Sequence, residues 1–85
     1  RHTLTYRIEN LAFEFEESII LANSMRGPQR FGQLNHAEAL LLCLQTRLRY
    51  ATEFRLFSSR QSQFLTDCLD ELGRLLGAWL RGTDR

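Results

Sequence analysis

Lysine is missing from this 85-residue chain: all eleven of its basic residues are arginine. A GC-rich coding bias accounts for that absence, and arginine also suits forked hydrogen bonding at a protein interface better than lysine does. Charge of one sign is lacking as well. Eleven basic and ten acidic residues leave a formal charge of +1, which argues against a nucleic-acid surface or an acidic membrane as partner. Arg47, Arg49, Arg55 and Arg60 do gather along one stretch, but Glu53 sits among them and no short helix-turn-helix pair with a polar recognition helix accompanies them. Direct nucleic-acid binding is therefore not expected.

Long apolar runs are absent too. Runs such as 19–22 and 39–44 fall far short of the roughly 20 residues needed to cross a hydrocarbon core, so no membrane helix is expected. The chain begins at Arg1 with neither Met nor a basic-then-apolar leader, and the cytoplasm is the expected location. Histidine occurs only as His2 and His36, one at the terminus and one expected in the first turn of a helix, so no Ser-His-Asp or Cys-His neighbourhood follows from spacing. Glu14, Glu16 and Glu17 cluster without an ExxH pattern, which leaves a metal bundle without a ligand set. The glycines at 27 and 32 match neither phosphate-binding loop. The chain is expected to be non-enzymatic, with no cofactor.

The two cysteines, Cys43 and Cys68, lie on apolar stripes without CxxC spacing and read as buried small hydrophobes. A turn near Ser58 would place them about 24 Å before and about 14 Å after it along the two helices. That offset exceeds the roughly 7 Å reach of a disulfide, so none is expected within one chain.

What is present is an apolar content of 44% in a chain long enough for one modest core, hence a single domain over residues 1–85. Ile8, Leu11, Phe15, Ile19 and Ala22 recur at helical spacing and predict a helix over residues 5–25. Alternation of Leu4, Tyr6 and Ile8 keeps a short strand at residues 3–8 as the competing reading. Gly27-Pro28, holding the only proline, predicts a loop over residues 26–34. A second helix is then expected from Asn35, which stands three residues before Glu38 as in a capping box. Two apolar stripes run along it: Ala37, Leu41, Leu44, Leu48 and Ala51, then Leu40, Cys43, Tyr50, Phe54 and Phe57, with Arg47 on the second row. Ser58 with Gln61 signals a turn and a new start. A third helix follows, with Phe64, Leu65, Cys68, Leu69, Leu72, Leu75, Leu76, Trp79 and Leu80 close to a heptad pattern and Gly82 as its cap. Arg49–Glu53 and Asp70–Arg74, each four apart, are expected surface pairs.

The fold class that follows is all-α: a small elongated three-helix domain, expected to be dimeric. Its second helix offers two stripes where one would suffice. Either that helix is central, or Tyr50, Phe54 and Phe57 beside Arg47 form an intermolecular patch, since aromatics next to arginine are enriched at interfaces. Gly73 and Gly77 each cost about 1 kcal/mol inside a helix and would leave a flat face for another helix to approach. The expected protein-binding residues are thus Arg47, Tyr50, Phe54, Phe57, Gly73 and Gly77.

The stretch NLAFEFEESIILANSMRGPQRFGQLNHAEALLLCLQTRLRYATEFRLF, from Asn10 to Phe57, resembles the small helical antiactivators of bacterial quorum sensing, the QslA-type inhibitors of LuxR-family transcription factors. That resemblance implies a homodimer that binds the ligand-binding domain of a LuxR-type regulator and keeps it from dimerising and engaging DNA. It transfers no residue roles. Another class of short helical binding protein, a secretion chaperone or an immunity-type inhibitor, stands beside it, and the balanced charge argues mildly against that class.

Overall fold

Helical spacing of the apolar residues prevails along almost the whole chain. The computed structural model describes residues 2–83, without the side chain of His2. Helix α1 spans His2–Ser24, α2 spans Gly27–Glu53 and α3 spans Ser59–Arg81, each antiparallel to the one before, and no strand occurs among the described residues. Residues 3–8, where strand alternation competed, are helical.

The break at Gly-Pro is two residues long, not nine. Met25 and Arg26 alone separate α1 from α2, and the expected loop over residues 26–34 is helix from Gly27 onward. Gly27 adopts φ 58°, which a glycine reaches without a Cβ penalty. Pro28 then occupies the first turn, where its missing amide hydrogen would have had no helical partner anyway. The dipeptide that cannot continue a helix is here used to start one. Asn35 consequently caps nothing; its Nδ2 donates to the Phe31 carbonyl at 3.1 Å within α2, and His36 lies exposed well inside the helix.

The 27 residues of α2 reach about 40 Å at 1.5 Å each, which matches the 42 Å length of the molecule. This helix is the spine. Its row Leu34, Ala37, Leu41, Leu44, Leu48 and Ala51 is buried throughout. Ala22, Leu34, Ala37, Leu41 and Leu76 form one core cluster, and Leu11, Leu40 and Leu44 form the next along the spine. The two buried serines are paired across helices. Gln33 Nε2 donates to Ser18 Oγ at 2.8 Å between α2 and α1, and Ser62 Oγ on α3 lies 3.0 Å from Thr52 Oγ1 on α2.

Helix α2 packs on both neighbours, whereas no Cα of α1 comes within 8 Å of one in α3 among the described residues. Two helix spacings of about 9 Å plus one backbone diameter of about 4.6 Å give roughly 22 Å, and the molecule is 22 Å wide. With a depth of 14 Å and with Phe15, Ile19 and Ala22 of α1 sharing a core cluster with Leu69, Leu76, Trp79 and Leu80 of α3, the three helices form an open V around α2.

At the second turn the backbone closes a Schellman motif. Leu56 N donates to Ala51 O at 2.9 Å and Arg55 N to Thr52 O at 3.0 Å, which forces Arg55 to φ 60°. Helix α2 thus stops at Glu53, so Phe54 is its cap and Phe57 lies beyond it, contrary to the expectation that the second stripe stays helical to its end. Left-handed geometry costs a non-glycine residue about 1 kcal/mol or more. Arg55→Gly should accordingly raise stability by about 1 kcal/mol, visible as a shift of about 5 °C in thermal unfolding; an unchanged or lowered midpoint would show that the motif carries no strain.

Ser58 and Gln61 form the expected capping box: Gln61 N donates to Ser58 Oγ at 3.1 Å and Ser58 N to Gln61 Oε1 at 2.9 Å. Gly82 caps the far end of α3. Among the described residues the one ion pair joins Arg74 to Glu71, not to Asp70, and Arg49 and Glu53 do not pair. The Arg74 hydrogen bond holds the Glu71 carboxyl below its ordinary range. Any stability it contributes is present above that range and lost as pH falls through it, and full exposure keeps the contribution small.

A candidate protein-binding surface

A chain of 10.0 kDa folded as a closed globule exposes about 5,200 Å², whereas this one exposes 6215 Å². The surplus, about 1,000 Å², is of the size each partner buries in a standard protein interface, about 800 Å². It follows from the open arrangement of the helices, which leaves apolar rows uncovered.

Two regions carry the surplus. The first is the outer side of α2 and its exit. Tyr50 is 42% exposed and Phe54 66% exposed. Phe57 is half-buried in the connection to α3, and Arg47, one turn before Tyr50, is also half-buried. The second stripe therefore divides: Leu40 enters the core while Cys43, Tyr50 and Phe54 remain in solvent. Cys43 and Cys68, expected to be buried, are both exposed free thiols.

The glycines of α3 separate as well. A Cβ on Gly73 would stand 3.4 Å from Leu41 Cδ2, so Gly73 already lets α3 approach α2 closely. A Cβ on Gly77 would meet only the Arg81 side chain of the same helix. The six expected residues are thus spread over two helices and a connection: Tyr50 and Phe54 share a free surface, and Gly73 faces inward.

The second region is a groove of about 390 Å³ between α1 and α3 that the sequence did not reveal. Its walls are Phe15, Glu16, Ile19 and Ile20 from α1 and Leu72, Leu75, Leu76 and Trp79 from α3, with Glu16 the single charge. Ile20 is 62% exposed and Leu75 54% exposed, and Phe13, 67% exposed, continues the α1 row one heptad earlier. The signal was present in α3, whose apolar arc from Phe64 round to Leu80 covers about 160° where one buried stripe needs little more than 100°. Only knowledge that α1 stands off from α3 turns that width into an open surface.

Chemistry-bearing groups do not converge. Among the described residues no three of His, Cys, Asp and Glu are placed to hold a metal ion, and no helix is long and apolar enough to cross a membrane. A wider cleft of about 580 Å³ between α2 and α3 is lined by polar groups including Gln45, Arg49, Thr52, Glu53, Gln63 and Asp70, without a histidine or cysteine.

Comparison with protein-family models, curated proteins and solved structures finds no match for this chain.

Proposed function

We propose that this chain is a non-catalytic, homodimeric, cytoplasmic protein-binding domain that inhibits its partner stoichiometrically by covering apolar surface the partner would otherwise bury against its own copy. The observation that carries this reading is the exposure of large apolar side chains in two separate regions, Tyr50 and Phe54 in one and Phe13, Ile20 and Leu75 in the other. A module with two such regions can associate with itself through one and hold a different protein through the other. The partner we propose is the ligand-binding domain of a LuxR-type transcription factor, which follows from the resemblance of residues 10–57 to the QslA-type antiactivators. Occlusion of the regulator's dimer surface then prevents its engagement with DNA without any contact of this chain to nucleic acid.

The partner-binding region in this proposal is Tyr50 and Phe54, flanked by Arg47, because rigid aromatics beside arginine dominate interface energetics. Replacing both aromatics with Asp should weaken binding of a purified LuxR-type ligand-binding domain about 100-fold in titration calorimetry while leaving helicity unchanged. Phe57, being half-buried, is left intact in that variant so that folding and binding are read separately. Wild-type chain that fails to bind the domain, or a variant that binds it unimpaired, would refute the assignment.

A further inference from the structure

The groove between α1 and α3 needs an occupant, and α3 itself supplies the pattern of one. Leu65, Cys68, Leu72, Leu75 and Trp79 follow one another at alternating steps of three and four, the spacing of a coiled-coil seam. Helix α3 meets α2 through a neighbouring row, Leu69, Gly73 and Leu76, which leaves Cys68, Leu72 and Leu75 exposed along the middle of the seam, with Leu65 and Trp79 half-buried at its ends and Trp79 packed on the core. The seam is also nearly symmetric in sequence about Leu72: on reversal Leu65 falls opposite Trp79, and the small Cys68 falls within one position of the larger Leu75. Charge follows the same symmetry with opposite sign. The first half of α3 holds Asp67, Asp70 and Glu71 against Arg60, a balance of −2, and the second half holds Arg74 and Arg81, a balance of +2.

We propose that the groove is filled by a second copy of this chain, with α3 packed antiparallel on α3 of that copy about a two-fold axis near Leu72. Antiparallel pairing sets the acidic half of each α3 against the basic half of the other, whereas parallel pairing would align like charge with like along the whole helix. An isologous contact buries the same patch on both molecules, so one seam satisfies both. Pairing through α3 covers the exposed Cys68, Leu72 and Leu75 of both chains at once. It leaves Tyr50 and Phe54 on α2 free for a different protein, and so assigns the two faces of the proposed module separate tasks.

The assignment rests on the reading of the chain as a homodimer, and its test involves no other partner. Sedimentation equilibrium of the full chain should give twice 10.0 kDa, and Leu75→Asp should raise the dimer dissociation constant about 100-fold with helicity retained. A monomeric wild type, or a Leu75→Asp dimer as tight as wild type, overturns the proposal. Should Leu75→Asp fail to fold, cross-linking decides. In a Cys43→Ser background, Leu75→Cys should form a disulfide-linked dimer under mild oxidation, joining position 75 of one chain to Cys68 of the other. Cys68 without that substitution should link far more slowly; the reverse ranking would establish parallel pairing and overturn the antiparallel seam. Failure of the calorimetric test with a LuxR-type domain would leave each of these outcomes unchanged.

Discussion

Leu34→Ala is expected to remove about 3 kcal/mol of stability, the largest effect of any conservative core truncation in this chain. Among the described residues Leu34 is the single large side chain with 0% exposure, and it packs in one core cluster with Ala22 and Ala37, both equally inaccessible. Alanines have no side-chain length with which to fill a void, so the space left by the isobutyl group stays largely empty and the full cavity penalty applies. Domains of this size hold roughly 4–13 kcal/mol in total. Thermal unfolding followed by circular dichroism should shift down by about 15 °C. A shift under about 4 °C would mean that α2 does not begin at Gly27 and that Leu34 belongs to a loop, as the proline first implies.

Arg30→Ala should cost about 2 kcal/mol although Arg30 lies only half-buried at the first bend. Its Nε donates to the Ala22 carbonyl at 2.9 Å and an Nη to the Asn23 carbonyl at 3.3 Å, satisfying acceptors that the end of α1 leaves orphaned. The guanidinium brings positive charge to the negative end of the α1 dipole and stands 5.7 Å from the centre of the Trp79 ring, within cation–π range. One side chain thus ties the end of α1, the start of α2 and the end of α3. Charge-assisted hydrogen bonds contribute about 1.5 kcal/mol and the ring contact about 0.5 kcal/mol. Arg30→Lys keeps the charge and loses the fork, so it should recover less than half of the loss in urea denaturation. Full recovery by lysine would show that charge alone, without the planar fork, holds the three helices.

The parts of the fold legible in the sequence are those decided by neighbours along the chain. The row from Ala37 to Ala51 is buried as its spacing implies, and the Ser58–Gln61 box forms because both members lie within one turn. Local rules also misled where two of them met. Pro28 both breaks and begins helices, and the choice fell to Leu34, whose burial between α1 and α2 favours helix over loop. The Schellman turn at Arg55 was hidden because its left-handed residue is not a glycine. Features set by distant parts of the chain were not legible at all. Arg30 finds its ring contact at Trp79, 49 positions away, and the exposure of Cys68 follows from α1 standing off from α3. Of the candidate site, Tyr50 and Phe54 are exposed, whereas the exposure of Ile20 and Leu75 is set by the separation of α1 from α3, which no local pattern encodes.

Association must cover the exposed apolar surface of this chain, and folding should then depend on how many copies are present. Thermal unfolding measured over a hundredfold range of chain concentration tests this directly: mass action contributes about 2.7 kcal/mol across that range, which for two 85-residue chains unfolding together raises the midpoint by roughly 5–10 °C. A midpoint that stays constant over the whole range would contradict it.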